Sequence, residues 1–213
     1  MKFLDLFAGI GGFRLGMEQA GHECVGFVEW DKYARKSYEA MHDTEGEWTA
    51  HDITGVTDDD IRLLGGKGID IICGGFPCQA FSVAGKRGGF ADTRGTLFFE
   101  IARIAEQIKP RILLLENVKG LLSHDKGRTF GTILNTLDEI GYDAEWQVLN
   151  SKDFGVPQNR ERVFIVGHLR GSGRREVFPL GGIHDEILNQ QKINILKRCM
   201  ICRLKPHARS ILL

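Results

Sequence analysis

The sequence predicts an α/β protein built on a mostly parallel sheet with helices on both faces. Three observations support this fold class: short β-type runs alternate with amphipathic segments, a glycine-rich turn follows the first run, and the 213 residues are 42% apolar and 26% charged. The alternation is typical of repeated β-α winding. The length and composition fit one domain with a substantial core.

The elements follow in order along the chain. Apolar and β-branched runs predict strands at residues 3–7, 24–28, 69–73, 112–115, 142–149 and 162–166. Amphipathic patterns predict helices at residues 13–20, 33–41, 61–64, 97–108 and 130–140. The first helix ends at Gly21, and a short run at residues 47–50 precedes Asp52.

Two segments fall outside this pattern. Residues 74–95 contain too many glycines for a regular element, and a loop of that length in a compact domain is usually functional. We expect the core to end near Gly167 and residues 181–213 to form a tail. From Ile183 onward six lysines or arginines stand against two acidic residues. Such a tail either contacts phosphates or is a solvated extension, and we favour the extension.

Charge and hydropathy exclude several classes of protein. Basic and acidic residues both number 28, so the formal net charge is zero and no global field attracts nucleic acid phosphates. Any such contact must come from a local patch or a partner. No apolar run reaches the length of a membrane span, and the N-terminus has no basic leader region. We therefore expect a cytoplasmic protein with no membrane partner.

The first β-α turn carries a candidate ligand site. DLFAGIGG (residues 5–12) places Gly9, Gly11 and Gly12 where a strand passes into a helix. Glycines there let the backbone approach a ligand and present N–H groups at a helix N-terminus. The fingerprint of dinucleotide-binding proteins would need a third glycine at position 14, where Arg14 stands. The dinucleotide interpretation therefore fails.

Polar and aromatic residues after the next two β-type runs indicate a nucleoside. Glu29 closes the second strand, the position from which a carboxylate binds ribose hydroxyls, and Trp30 offers a flat face for an adenine ring. Either residue alone is better explained as a surface acid or a packing residue. Asp52 is equally suited to accept a hydrogen bond from an adenine amino group or to cap a turn.

One of the five cysteines stands in an unusual context. Cys78 lies in GGFPCQAFSVAG, directly after a predicted parallel strand, where ligands of open α/β sheets bind. Cys24 and Cys73 are better explained as small buried hydrophobes. Cys199 and Cys202 have a metal-like spacing, but a single CxxC supplies only two ligands, so we predict no metal site. Cys78 is the candidate reactive thiol.

At this point a family resemblance is apparent. DLFAGIGG, EW, GGFPCQAFS, RGTLFFE, ENV and QNRERVFIVG resemble, in the same order, the motifs of DNA cytosine-5 methyltransferases. The resemblance covers residues 1–180, which we expect to form the catalytic domain. It implies a Rossmann-like S-adenosylmethionine-dependent methyltransferase fold, S-adenosylmethionine as cofactor, double-stranded DNA as substrate, and a role in a restriction-modification system.

The resemblance also implies the roles of individual residues. The matching positions for the cofactor are Phe7, Gly9, Gly11, Glu29, Trp30, Asp52, Ile53, Gly75, Pro77 and Leu97. Cys78 matches the nucleophile that adds to cytosine C6 after the base is flipped out of the duplex. Glu116 of ENV matches the residue that acts at N3, and Arg160 and Arg162 match the arginines of this site. Arg162 is the one expected to contact the cytosine O2.

The resemblance breaks after the QNRER motif. Members of this family carry a variable target-recognition region and closing motifs there, and residues 181–213 resemble neither. We therefore expect a second polypeptide to supply the recognition region. Two alternatives stay open: a truncated fragment that binds cofactor without catalysing transfer, and an RNA cytosine-5 methyltransferase of related fold.

Overall fold

The computed structural model describes residues 1–77, 97–173 and 176–180, and these contain a seven-stranded sheet of order β3-β2-β1-β4-β5-β7-β6. The strands are β1 Lys2–Leu6, β2 Glu23–Val28, β3 Trp48–Ala50, β4 Ile71–Gly75, β5 Ile112–Val118, β6 Tyr142–Asn150 and β7 Glu161–Leu169. The helices are α1 Gly12–Gln19, α2 Lys32–Met41, α3 Asp58–Gly65, α4 Leu97–Ile108 and α5 Arg128–Glu139. No helix of this described part is long and apolar enough to cross a membrane.

The sheet is parallel from β1 to β5, while β7 runs antiparallel to both β5 and β6. Side chains alternate between its two faces, as they do on any strand. On β1, Leu4 and Leu6 belong to the cluster that α3, α4 and α5 cover, whereas Phe3 packs with Phe13 and Met17 of α1. The predicted α/β class, with helices on both faces, is confirmed.

The fourth strand is shifted relative to the sequence prediction. Residues 69–73 were expected to form it, with a loop from Gly74, but β4 runs from Ile71 to Gly75. A Cβ atom at Gly74 would lie 2.3 Å from the carbonyl oxygen of Leu6 on β1. Glycine here is therefore a requirement of close strand packing. The rest of the predicted loop, from Cys78 to residue 95, lies outside the described residues.

Arg14 explains why the glycine fingerprint is broken. Its side chain is 3% exposed in α1, and its guanidinium contacts both carboxylate oxygens of Glu47 at 2.8 and 2.9 Å. It also donates to Glu18 at 2.7 Å and to the carbonyl of Asp43. Burial opposes the charge, but hydrogen bonds to Glu47 and Tyr38 outweigh it and raise the pKa of Arg14 above its usual value. The bonds of Arg14 to Asp43 and Glu47 thus connect α1 to the segment before β3.

The expectation that the core ends near Gly167 is wrong. β7 continues to Leu169, and Leu180 is 5% exposed within the cluster on the α1 face. Residues 177–180 are held by side chains of β6. Glu145 accepts from the backbone N–H groups of Val177 and Phe178, and Gln147 both donates to and accepts from the backbone of Leu180. Sequence periodicity does not reveal this attachment, because it joins residues 32 and 33 positions apart.

We expect the attachment through Glu145 to weaken in acid. Burial alone would raise the pKa of Glu145, but hydrogen bonds from Val177, His168 and Phe178 outweigh it and lower the pKa. A carboxylate whose pKa is lowered by folding stabilises the protein above its unfolded pKa, about 4.3, and loses that contribution as pH falls through the folded value. Urea unfolding of the protein and of Glu145→Gln should therefore differ at pH 7 and converge toward pH 3.

The control is Glu139→Gln, because Glu139 is exposed on the last turn of α5. Its stability should follow that of the unmodified protein at every pH. A stability gap between the protein and Glu145→Gln that stays constant from pH 7 to pH 3 would contradict the assignment.

Candidate active site

The candidate residues collect at one edge of the sheet, where the parallel strands β1 to β5 end, which we call the carboxyl edge. Phe7 follows β1, Glu29 follows β2 and Pro77 comes two residues after β4. β7 runs the opposite way, so its first residues arrive at this same edge, where Arg162 pairs with Val118. In open α/β sheets ligands bind at this edge.

A cavity of about 590 Å³ opens at the carboxyl edge beside β1, β2 and β4. Most of the predicted cofactor residues line it: Phe7, Glu29, Trp30, Asp52, Ile53, Gly75, Pro77 and Leu97. Four further residues that sequence reasoning missed share its wall: Val28, Asp31, His51 and Thr54. Each of these four adjoins a predicted residue in the chain, and that adjacency was the available signal.

The β1-α1 turn contributes Phe7 to the cavity wall, but its glycines do not line the cavity. Phe7, Gly9 and Gly11 have positive φ values of 55°, 57° and 91°. A Cβ atom at Gly11 would lie 2.1 Å from Nε2 of His42, so this glycine makes room for a side chain of the protein. Gly9 and Gly11 are absent from the cavity lining, and Gly9 instead directs its N–H to Glu29.

Glu29 joins the two sides of this wall. Its Oε2 accepts from the N–H of Gly9 at 2.6 Å, and its Oε1 accepts from the N–H of Asp31 at 2.7 Å. The residue is 9% exposed. A carboxylate has about four acceptor positions, so two backbone bonds leave capacity for ligand hydroxyls. The first bond spans 20 residues and ties the β1-α1 turn to the end of β2.

The other polar walls are ordered in a similar way. Asp31 caps α2 by accepting from the N–H groups of Tyr33 and Ala34, and Trp30 beside it is 78% exposed at the cavity. Asp52 caps the short 3-10 turn Ile53–Gly55 through Oδ1, which accepts from Thr54 at 2.9 Å. The capping alternative for Asp52 is therefore correct, and it coexists with a place in the cavity wall.

The predicted catalytic residues separate into three groups. Glu116 is 6% exposed near the end of β5, and its Oε1 lies 3.0 Å from Nε of Arg162, in a charge-assisted contact. Arg160 precedes β7, and its backbone bonds to Asn150 and Ser151. Cys78 lies outside the described residues, one position after Pro77. The pair of Glu116 and Arg162 thus stands beside the strand that leads to Cys78.

The described cysteines behave as predicted. Cys24 and Cys73 are both buried. Burial, followed by the nearby charges of Asp5 and Glu47, raises the pKa of the Cys24 thiol to about 12. A thiol of such high pKa is not a nucleophile at neutral pH. Cys199 and Cys202 lie outside the described residues, and the described part contains no group of three metal-binding side chains.

We expect Glu29→Gln to destabilise the protein even without a ligand. The amide retains one acceptor oxygen but turns an NH2 group toward the second backbone N–H, which loses its partner. The expected cost is about 1–3 kcal/mol, the range for leaving a buried donor without its partner. Urea unfolding measures it, with Glu23→Gln as the control, because Glu23 is exposed at the start of the same strand. Equal stability of the Glu29 variant and the unmodified protein would show that these contacts contribute nothing.

Comparison with known proteins assigns the chain to a family. Residues 1–201 match the family described as C-5 cytosine-specific DNA methylase. Type II methyltransferase M.HpaII of Haemophilus parainfluenzae is 53% identical over 173 residues, which cover 80% of this chain and 47% of the relative. Type II methyltransferase M.HhaI of Haemophilus parahaemolyticus is 49% identical over 166 residues, which cover 78% and 48%. The chain spans about half the length of these relatives.

Solved structures agree on the fold. A putative DNA modification methyltransferase encoded within a prophage of E. coli has a TM-score of 0.64 and 26% identity, covering 80% of this chain and 47% of that one. A mutant of Spodoptera frugiperda DNMT2 has a TM-score of 0.64 and 24% identity, covering 82% and 53%, which concerns the fold alone. With its strand order, its carboxyl-edge cavity and this match over residues 1–201, the chain belongs to the C-5 cytosine-specific DNA methylase family.

Proposed function

We propose that this chain is the catalytic part of a DNA cytosine-5 methyltransferase, which transfers a methyl group from S-adenosylmethionine to C5 of a cytosine flipped out of double-stranded DNA. One observation carries the proposal. β4 lies between β1 and β5 in the sheet, and β7 follows β5. The cavity lies on the β1 side of β4, and the Glu116–Arg162 pair of β5 and β7 lies on the other side. Pro77 and then Cys78 follow β4 in the sequence. A methyl donor and an acceptor base would then meet beside the proposed nucleophile.

The chemistry of the cavity fits S-adenosylmethionine. Glu29 supplies acceptors for two ribose hydroxyls, and the exposed ring of Trp30 supplies a flat face for adenine. Asp52 keeps its second carboxylate oxygen for an amino group, since Oδ1 caps the 3-10 turn. Gly75, Pro77 and Leu97 offer a largely apolar wall for the methionine portion. When bound, the cofactor supplies an electrophilic methyl group.

The proposed reaction needs a nucleophile because cytosine C5 reacts poorly by itself. The thiolate of Cys78 adds to C6, while N3 of the base takes a proton from Glu116. C5 thereby becomes nucleophilic and would take the methyl group, whose bond to the cofactor sulfur breaks so that S-adenosylhomocysteine leaves. Loss of the C5 proton to a base then expels the Cys78 thiolate, and the proton on N3 returns to Glu116. Each bond made to the protein is broken by the end of the cycle.

Arg162 is oriented for the base by its contact with Glu116. Its Nε lies 3.0 Å from the carboxylate and Nη1 donates to the carbonyl of Glu161 at 2.7 Å, so the guanidinium has a defined orientation. A guanidinium carries five N–H donors, which leaves others for the O2 of a flipped cytosine. Arg160, one residue before β7, is proposed as the second arginine of this site.

DNA is favoured over RNA as the substrate because the matched family is described by its action on DNA cytosine, and the match covers residues 1–201. The aligned part is about half of each relative. We propose that residues which read the target sequence lie outside the aligned half, on the same polypeptide or on a second one. Base edges must be contacted to select a site, and extruding a base requires contacts with the surrounding duplex.

We expect Cys78→Ser to abolish methyl transfer while leaving the fold intact, because a hydroxyl is far less ionised than a thiol at neutral pH. DNA with 5-fluorocytosine at the target should trap a covalent adduct, since fluorine cannot leave as a proton. Peptide mapping should locate that adduct at Cys78. Cys73→Ser is the matched control, because Cys73 is buried in β4, and it should retain the trapping.

Methylation at a normal rate by Cys78→Ser would remove this residue from the mechanism. An adduct that maps to Cys73 would do the same and would assign the nucleophile to the strand.

We expect the chain by itself to show little sequence-specific methylation. Flipping a cytosine costs a few kcal/mol, which contacts to the duplex must offset, and a chain of zero net charge offers weak attraction to phosphates. Tritium transfer to plasmid DNA measures this, alone and with a polypeptide carrying a recognition region, which should restore activity. Efficient methylation of one defined site by the chain alone would refute this part of the proposal.

A further inference from the structure

Asn117 is a buried polar residue to which the proposed chemistry assigns no role. It follows Glu116 in β5 and is 2% exposed. Its Nδ2 donates to the carbonyl of Phe76 at 2.9 Å, across 41 residues of sequence, and its Oδ1 accepts from the N–H of Val118 at 2.8 Å. Both ends of one amide are therefore used at the carboxyl edge.

The Phe76 carbonyl stands where the backbone ladder has ended. The last register pair of β4 with β5 joins Gly75 to Glu116, and the last pair of β4 with β1 joins Gly74 to Leu6. Phe76 is 3% exposed, so a carbonyl there needs a partner within the protein. The Asn117 amide supplies that partner and prolongs the attachment of β4 to β5 by one residue.

The orientation of the amide is determined by its two contacts. An oxygen must face the N–H of Val118, and an NH2 group must face the carbonyl of Phe76. An aspartate at this position would keep the first bond and set a carboxylate oxygen against the carbonyl. Only a side chain with a donor and an acceptor on one planar group satisfies both neighbours.

We propose that Asn117 is a positioning residue. By holding the Phe76 carbonyl, it fixes the place of Pro77 in the cavity wall, and Pro77 is the residue directly before Cys78 in the sequence. The inference rests on the proposed function for its effect on catalysis, but the attachment itself does not. Pro77 has no N–H to donate, and the residue before a proline is confined to extended conformations. The carbonyl of Phe76 is therefore the backbone group through which Asn117 can hold the segment that leads from β4 to Pro77. Glu116 and Asn117, adjacent in β5, then act on the base and on the backbone that precedes the nucleophile.

The test compares Asn117→Asp and Asn117→Ala with Tyr142→Phe. Tyr142 is 1% exposed and donates from its hydroxyl to the carbonyl of Pro110 at 2.7 Å, at the opposite edge of the sheet. The control therefore also removes one buried bond to a backbone carbonyl, far from the site. Two measurements are made. The first is hydrogen exchange of the peptide spanning residues 71–77 in the purified chain. The second is the kcat and the KM for DNA of the chain combined with a polypeptide that carries a recognition region.

In both Asn117 variants, exchange at the end of β4 should rise about tenfold or more, as expected when a buried carbonyl loses its partner and the strand end opens. The kcat should drop by up to about 10²-fold with little change in the KM for DNA, because the reacting groups are misplaced after binding. Tyr142→Phe should change neither the exchange of residues 71–77 nor the kcat.

Exchange at residues 71–77 that equals that of the unmodified chain would overturn the inference, whatever the activity. A kcat loss shared equally by Tyr142→Phe would also overturn it, because the role of Asn117 would then be general stability. Methylation that survives in Cys78→Ser would instead count against the proposed function and leave the exchange result standing.

Discussion

The two hydrogen bonds that Glu29 accepts from Gly9 and Asp31 are the contacts on which the wall of the proposed cofactor cavity depends. They join the turn after β1 to the residues after β2, just beyond the last register pair of these strands, Leu6 with Val28, and the bond from the N–H of Ala8 to the carbonyl of Val28. A buried carboxylate is stable there because it accepts from backbone donors as well as from any ligand. The same atoms that shape this wall are those proposed to bind ribose hydroxyls.

Much of this arrangement was predictable from the sequence. Parallel strands are apolar runs, and the residues that follow each run, such as Phe7, Glu29 and Pro77, must meet at one edge of the sheet. Four helices were predicted to within two residues of their ends from their amphipathic spacing, whereas α3 begins three residues before the predicted range 61–64, at Asp58. Asp52 was left between two roles because a carboxylate after a strand suits both a cap and a ligand. The structure shows the cap, and its place in the cavity wall is compatible with the second role.

Other features depend on long-range contacts that local patterns do not contain. Gly74 looks like a loop residue, yet it belongs to β4 because only glycine fits against the Leu6 carbonyl. The contact of Glu116 with Arg162 requires β7 to insert antiparallel between β5 and β6, an order that periodicity cannot specify. The amide of Asn117 reaches a carbonyl 41 positions away. Polar contacts of this kind leave no hydrophobic pattern in the sequence.

The contacts of residues 177–180 with β6 also show the direction in which this segment of the chain runs. Glu145 binds residues 177 and 178, while Gln147, two positions further along β6, binds Leu180, so both segments advance in the same sense. β6 opposes β7, which opposes β5, so β6 itself points as the parallel strands do. The chain therefore reverses its direction after Leu169, and residues 177–180 run toward the carboxyl edge. The last described residues thus run alongside β6 toward the side of the sheet on which the cavity opens.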